Sequence, residues 1–271
     1  MKSLKKFFAL CLTLALVLSL AACAQKPAET TDPAETPDTP EQEVETPVTA
    51  RIAALKGPTA MGLVKLMSDA PSSANGPLYD FTLAGSADEV TPALIKGELD
   101  MACVPANLAA VLYNKTEGAV QVLAVNTLGV LYIVENGESV QSLADLKGKT
   151  VVAAGKGSTP EYALRYLLSE NGIDPDADET LDWNIEHSEG LRMALDLTEE
   201  WDKLDNGSAL ITGVIVARSD FVEAHPDAVG SFLTAYAASV DWVNANTADA
   251  AALIGEYGIV DAAVAEKALP Y

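Results

Sequence analysis

Four short turns combine glycine or proline with hydroxyl or amide side chains, and each follows an apolar run. They read Lys56-Gly57-Pro58-Thr59, Gly85-Ser86, Pro105-Ala106-Asn107 and Gly155-Lys156-Gly157-Ser158-Thr159. A helix that begins at such a turn presents free backbone N–H groups and a partial positive charge. Because these turns supply hydrogen-bond donors, we expect them to bind a small polar or anionic solute.

A further polar pair, Asn126-Thr127, ends another apolar run and is added to the candidates. An alternative remains open for the hydroxyl groups, which could simply cap helices, and Ser158 to Glu161 fits a capping box. The two lysines could equally be solvated. The candidate ligand-binding residues are Lys56, Gly57, Thr59, Ser86, Asn107, Asn126, Thr127, Gly157, Ser158 and Thr159.

Catalytic and metal-binding patterns are missing from the sequence. Its two histidines, His187 and His225, form no cluster with metal-ligand spacing, and His225 precedes a proline at a helix start. Cys103 lies in an apolar run that favours a buried, inert thiol. No nucleophile elbow or phosphate-binding loop occurs. We therefore predict neither an enzyme, nor a metal site, nor a cofactor.

The elements that position the turns alternate between strand-like and helix-like runs from Arg51 onward. This alternation predicts parallel βαβ units and a doubly wound sheet. The run 210–217 predicts a strand, and the apolar spacing from Val229 to Val243 predicts a long helix after His225-Pro226. Strands are predicted over 52–56, 79–84, 99–104, 120–126, 131–135, 150–154, 181–185, 191–195 and 210–217.

The first 50 residues predict export. Lys2, Lys5 and Lys6 precede the apolar run 7–22, which is short for a membrane span and ends in Leu20-Ala21-Ala22-Cys23. That ending resembles the lipobox of bacterial lipoproteins and implies a signal peptide over 1–22 and lipid on Cys23. An uncleaved anchor helix with a chance cysteine is the alternative.

Residues 23–50 predict a disordered tether, because the stretch is rich in proline, threonine and acidic residues and poor in large apolar ones. The whole chain has a net charge of −22. Such an acidic chain would repel nucleic acid and anionic membrane surfaces, so we expect neither as a partner. A monomer held on the membrane by its lipid is expected.

Several segments, taken in order, resemble the SsuA/taurine/nitrate-type family of ABC solute-binding proteins, whose superfamily also includes binders and synthases of a thiamine pyrimidine precursor. The resemblance covers nearly all of residues 51–260. It implies an α/β, two-lobed, type II periplasmic-binding-protein-like fold that closes on a solute and delivers it to an ABC permease. The segments are 55–59, 97–102, 145–150, 157–161, 213–218, 225–226 and 242–246.

By this resemblance lobe one comprises 51–130 and 213–271, and lobe two comprises 131–212. The connection between the strands 181–185 and 191–195 has only five residues, too few for a parallel crossover. The chain also stops at Tyr271, where relatives usually continue. An internal deletion that abbreviates lobe two is one interpretation, and a naturally compact variant is the other.

Three functions remain open. The first is a solute receptor of an ABC importer, for a sulfonate, nitrate or a pyrimidine precursor. The second is a pyrimidine-precursor synthase-like enzyme on the same fold, because fold alone does not separate the two. The third is a ligand-incompetent remnant of a binding protein. The lipobox and tether favour the receptor, because they place the chain outside the cell.

Overall fold

The computed structural model describes residues 48–70, 78–177, 180–182 and 190–270. The predicted signal peptide, Cys23 and most of the predicted tether lie outside these residues, as does His187. The first strand begins at Ala50, the last residue of the predicted tether, and Ala50 is buried. No helix in the described ranges is both long and apolar enough to cross a bilayer.

Nine strands and ten helices form the described part of the chain. The strands are β1 (Ala50–Leu55), β2 (Tyr79–Ala84), β3 (Met101–Pro105), β4 (Val120–Leu128), β5 (Tyr132–Glu135), β6 (Thr150–Val152), β7 (Thr180–Asp182), β8 (Arg192–Asp196) and β9 (Ile211–Arg218). The helices are α1 (Pro58–Met61), α2 (Val64–Asp69), α3 (Ala87–Lys96), α4 (Ala106–Lys115), α5 (Thr159–Glu170), α6 (Leu197–Asp202), α7 (Ser219–Ala224), α8 (Pro226–Ala245), α9 (Thr247–Glu256) and α10 (Ala262–Ala268), with a 3₁₀ turn over Leu143–Leu146.

The main sheet has five strands in the order β2-β1-β3-β9-β4. β1, β2 and β3 are parallel, as the alternating pattern predicted, but β9 runs antiparallel to both of its neighbours. The chain leaves this sheet after β4 and returns into β9 beside that exit, where the N–H of Gly129 donates to the Leu210 carbonyl at 2.8 Å. Because the chain re-enters the sheet at the same edge where β4 left it, β9 runs in the direction opposite to β4.

Two clusters of buried residues cover the two faces of the five-stranded sheet. One packs α2, α8 and α9 against side chains such as Ile52 and Ile215, and the other packs α3 and α4 against Ala102 and Val216. Phe232, on the apolar face predicted for α8, is completely buried. Alternate residues of one strand therefore serve opposite faces, as expected for a sheet covered on both sides.

A third cluster is built from residues 133–210 and is separate from the other two. It packs α5 and the 3₁₀ turn against two small sheets, β5-β8 and β6-β7. β7 and β8 lie in different sheets, in agreement with the short connection between them. We call residues 131–210 the inserted part, and residues 48–130 with 211–270 the main part.

The inserted part leaves apolar side chains in solvent. Val134 and Met193 face each other across β5 and β8, and they are 51% and 56% exposed. Ile133 and Leu195, which point the other way, are buried in the third cluster. Only one face of the β5-β8 sheet is therefore covered within the described residues.

Candidate functional site

Three of the predicted turns, at Gly57, Ser86 and Asn107, lie along one edge of the main sheet together with the Asn126-Thr127 pair. β1, β2 and β3 are parallel, so their carboxyl ends at Leu55, Ala84 and Pro105 meet there. β4 runs in the same direction, and its Thr127 lies opposite Gly213 near the start of β9. Pro105 pairs with Gly213 from the other side. This is the edge where ligands bind in open α/β sheets.

Gly213 is the point on which three candidate residues converge. A Cβ at this position would lie 2.6 Å from Asn126 Oδ1, 2.7 Å from Thr127 Oγ1 and 2.8 Å from Thr59 Cγ2. Any side chain would therefore collide with all three. We call Thr59, Asn126 and Thr127 the Gly213 cluster. The absence of a side chain at Gly213 is what allows the cluster to form.

The polar atoms of the Gly213 cluster satisfy one another. Asn126 donates from Nδ2 to the Thr59 carbonyl at 3.1 Å, and Thr127 Oγ1 donates to Asn126 Oδ1 at 3.2 Å. Thr59 Oγ1 donates to the Leu55 carbonyl at 2.8 Å, so this hydroxyl caps the end of β1. The cluster is thus a connected network rather than a set of free donors.

Cys103, which lies close to Asn126, is fully buried as predicted. Burial raises the pKa of the Cys103 thiol to about 12, because the thiolate would be poorly solvated, and the Asn126 amide offsets only part of this rise. Cys103 is therefore protonated at neutral pH and is not a nucleophile.

Ser86 occupies the start of α3 but is engaged locally. The carboxylate of Glu89 accepts hydrogen bonds from the N–H groups of Gly85 (3.2 Å) and Ser86 (3.1 Å) and from the Ser86 hydroxyl (3.2 Å). The helix-capping alternative therefore holds at this turn. A carboxylate of the chain itself occupies the place that an anion would take.

The turn before α5 carries a similar carboxylate, but not in the predicted arrangement. The capping box predicted over Ser158–Glu161 does not form, because the Ser158 N–H donates to the Gly155 carbonyl at 2.9 Å and not to the Glu161 carboxylate. Glu161 Oε2 instead accepts from the Gly157 N–H at 2.7 Å.

Glu161 is held in its charged form. The Gly157 N–H, followed by the Arg165 guanidinium and the positive charge of Lys156, lowers the pKa of Glu161 below its ordinary value against the opposing effect of burial. Arg165 Nε donates to Glu161 Oε1 at 2.9 Å. The Gly157 turn therefore contains a fixed negative charge close to a candidate ligand contact.

Asn107, Gly157 and Thr159 come together although 50 or more residues separate Asn107 from the other two. The Asn107 N–H donates to Thr159 Oγ1 at 3.2 Å, and Thr159 Oγ1 donates to Asn107 Oδ1 at 3.1 Å. Asn107 Nδ2 donates to the Gly157 carbonyl at 3.1 Å. The first turns of α4 and α5 are therefore in direct contact.

The two candidate lysines, Lys56 and Lys156, are both exposed, which permits contact with a solute as well as hydration. His225 lies at the start of α8 with its ring 5.1 Å from that of Phe221. Within the described ranges no group of three or more histidine, cysteine or acidic side chains is arranged to hold a metal ion.

One family model and several solved structures are similar to this chain. Residues 72–195 match the model of the periplasmic substrate-binding proteins of phosphonate ABC transporters. The folded part is similar to an ABC transporter protein from Parabacteroides distasonis, with a TM-score of 0.64 at 20% identity over 82% of this chain and 84% of that one. No curated protein sequence matches the chain.

Two further structures are similar. One is the periplasmic aliphatic sulphonate binding protein SsuA from Escherichia coli, with a TM-score of 0.65 at 16% identity over 83% of each chain. The other is the alkanesulfonate-binding protein SsuA from Xanthomonas axonopodis pv. citri bound to MOPS, with a TM-score of 0.57 at 16% identity over 83% and 84%. The chain has the fold of ABC-transporter substrate-binding proteins.

The substrate-binding fold confirms the resemblance and the fold class inferred from the sequence. The matched family and these structures are substrate-binding proteins, and they support a solute-binding component of an ABC importer. Gly213 is not among the candidate residues predicted from the sequence. Gly213 lies between Thr212 and Val214 in a strand rich in β-branched residues, and a glycine inside such a strand is a sequence signal of close approach that could have identified it.

Proposed function

We propose that the chain is the extracytoplasmic solute-binding component of an ABC importer and acts by binding rather than by catalysis. The observation that carries the proposal is the convergence of candidate turns at one sheet edge, around Gly213 and across to Gly157 and Thr159. The main and inserted parts correspond to the proposed lobes 51–130 with 213–271 and 131–212. A permease would receive the solute from the closed form.

The proposed solute is small and polar or anionic, of the sulfonate, nitrate or pyrimidine-precursor class. A phosphonate joins this set, because the matched family is a phosphonate-binding one and a phosphonate shares the tetrahedral oxoanion geometry of a sulfonate. Thr127, Asn126 and Lys56 lie at the edge where such an anion would be held. Lys56 offers an exposed ammonium donor, and the Thr127 hydroxyl and the Asn126 amide would bind the anion by exchanging the hydrogen bonds that they make within the Gly213 cluster.

A thermal-shift screen with methylphosphonate, an alkanesulfonate, nitrate and an aminopyrimidine tests the proposal. A solute at 100 times its Kd stabilises a folded protein by about 2.7 kcal/mol. For a domain of this size that raises the Tm by about 5–10 °C. If none of these probes raised the Tm at millimolar concentration, the result would favour a ligand-incompetent remnant over a solute receptor.

The same assay locates the site. Asn126→Ala should reduce the affinity for whichever probe binds by about tenfold, since it removes one hydrogen bond and leaves the Gly213 cluster without its central amide. Asn114→Ala is the matched control, because Asn114 bonds only its own helix at Ala110. Equal affinity in the two variants would place the solute elsewhere.

We also propose that Cys23 carries lipid after removal of residues 1–22, and that residues 24–49, which precede β1, tether a monomeric body to the membrane. The support is the sequence pattern alone. Cys23→Ser should move the protein from the membrane fraction to the soluble fraction or block its processing. Cys11→Ser, inside the apolar run, should change neither. Normal processing and membrane retention of the Cys23→Ser variant would contradict the anchor.

A further inference from the structure

Asn107 and Thr159 belong to parts of the chain with separate hydrophobic cores. Asn107 lies in the first turn of α4, whose Ala109 and Leu112 pack under the five-stranded sheet. Thr159 begins α5, whose Leu164 and Leu167 pack in the third cluster. The hydrogen bonds between the two residues therefore connect the main part to the inserted part.

The chain itself joins these parts at only two neighbouring places, where β4 leads to β5 and where residue 210 leads into β9. The two crossings are hydrogen-bonded to each other, because Gly129 donates to the Leu210 carbonyl and Thr212 Oγ1 donates to the Gly129 carbonyl at 3.1 Å. Gly129 and Val130 both have positive φ values, of 63° and 60°. A pair of adjacent crossings of this kind permits rotation of one part against the other.

The contact between Asn107 and Thr159 is distinct from these crossings and is partly shielded from water. Thr159 is only 8% exposed, and its single hydroxyl both accepts from the Asn107 N–H and donates to Asn107 Oδ1. The Asn107 amide adds a bond to the Gly157 carbonyl. Rotation about the crossings would break all three bonds and leave a shielded hydroxyl without its partners, which is costly.

We propose that Asn107, Gly157 and Thr159 form a latch that holds the two parts together when no solute is bound. The latch consists only of hydrogen bonds within the chain. It goes beyond the proposed import function and does not depend on it. A protein held closed by its own contacts admits solute only through the minor open population, so the latch sets how much of the protein is open.

Hydrogen exchange at the backbone amide of Asn107 reports on the latch directly, and the measurement is made on the full chain without solute. We expect this amide to be protected in the wild-type protein. Thr159→Val keeps the shape of the side chain but removes the hydroxyl and two of the three hydrogen bonds. It should accelerate exchange at Asn107 on the order of tenfold.

Two sets of controls separate the latch from a general loss of structure. Thr159→Ser restores the hydroxyl and should restore the protection. Thr116→Val removes a hydroxyl that bonds only Leu112 within α4, and it should leave exchange at Asn107 unchanged. Slow exchange in Thr159→Val, or equal acceleration by Thr116→Val, would overturn the proposal.

A distance measurement tests the closed state itself. Spin labels at the exposed positions Lys96 and Glu170, one on each part, should give a single distance in the wild-type background. Asn107→Ala and Thr159→Val should add a longer distance, whereas Asn114→Ala, on the same helix, should not. A distance distribution that the latch variants leave unchanged would show that other contacts hold the parts together.

Discussion

Gly213→Ala is the sharpest test of the site, because one methyl group would meet three side chains at once. The added Cβ would lie 2.6–2.8 Å from Asn126 Oδ1, Thr127 Oγ1 and Thr59 Cγ2. Asn126 is also held by hydrogen bonds to the Thr59 carbonyl and from the Thr127 hydroxyl, so moving it away from the methyl group would strain or break these bonds. The methyl group must therefore displace a network and not a single flexible side chain.

The size of the effect follows from three contributions. Overpacking of this kind costs about 1–3 kcal/mol. Loss of the bond from Asn126 to Thr59 adds about 1 kcal/mol. The stiffer unfolded chain of alanine returns about 0.4–1 kcal/mol. The net expectation is a loss of about 2 kcal/mol in the free energy of unfolding, which lowers the Tm by about 4–8 °C in a domain of this size.

Urea unfolding followed by circular dichroism measures this loss as a lower midpoint at an unchanged slope. Gly230→Ala is the matched control. Gly230 lies inside α8, nothing lies within 4 Å of its added Cβ, and alanine there should stabilise the helix by about 0.5–1 kcal/mol. If Gly213→Ala unfolded at the wild-type midpoint, the close approach around Gly213 would not exist and the proposed cluster would fail with it.

Two further outcomes are expected. Val130→Gly should raise the free energy of unfolding by about 0.5–1 kcal/mol in urea titrations, because a β-branched residue at φ 60° pays a left-handed strain of about 1–2 kcal/mol that exceeds the entropy cost of glycine. Val125→Gly in β4 should lower the free energy of unfolding. If Val130→Gly were less stable than the wild type, Val130 would not be strained. The stability difference between the wild type and Glu161→Gln should be complete above about pH 5 and should close as the pH falls below about 4, because the pKa of Glu161 is lowered in the folded state and the stabilisation is lost as the carboxylate protonates. Urea midpoints at a series of pH values check this, and a gap that widened on acidification would contradict it.

The strand and turn pattern could be predicted from the sequence because each signal is local. Apolar runs ended at turns containing Gly57, Ser86 and Asn107, and the structure places all of these turns at helix starts after strands. The long helix after Pro226 was equally visible from its spacing, and its buried face agrees with the prediction. The short helices α6, α7 and α10 were not predicted. Each has six or seven residues and buries only one apolar side chain, so tertiary packing rather than local sequence determines them.

The partners of the candidate residues could not be predicted, because they are set by contacts between distant segments. Nothing local indicates that Asn107 meets Thr159, 52 residues away. Similarly, Glu161 bonds Gly157 and not Ser158 because a turn to Gly155 has already engaged the Ser158 N–H. The types of the polar residues were predicted, but which donor faces which acceptor was not.

The same contacts determine how a solute would enter this site. The turns before α3 and α5 have already given N–H groups to Glu89 and Glu161, and Asn107 has given its own to Thr159. An anion therefore does not find empty donors at these three places and must exchange partners with a carboxylate or a hydroxyl of the chain. Each exchange replaces one hydrogen bond by another, so its net free energy is small, whereas repulsion from Glu89 and Glu161 remains.

The Gly213 cluster and Lys56 differ from these turns, because no carboxylate takes part in their described hydrogen bonds. Asn126 lies at the centre of the cluster. Selectivity for a charged solute should therefore depend on the Gly213 cluster and Lys56, and the turns that contain Glu89 and Glu161 should oppose any anion that reaches them.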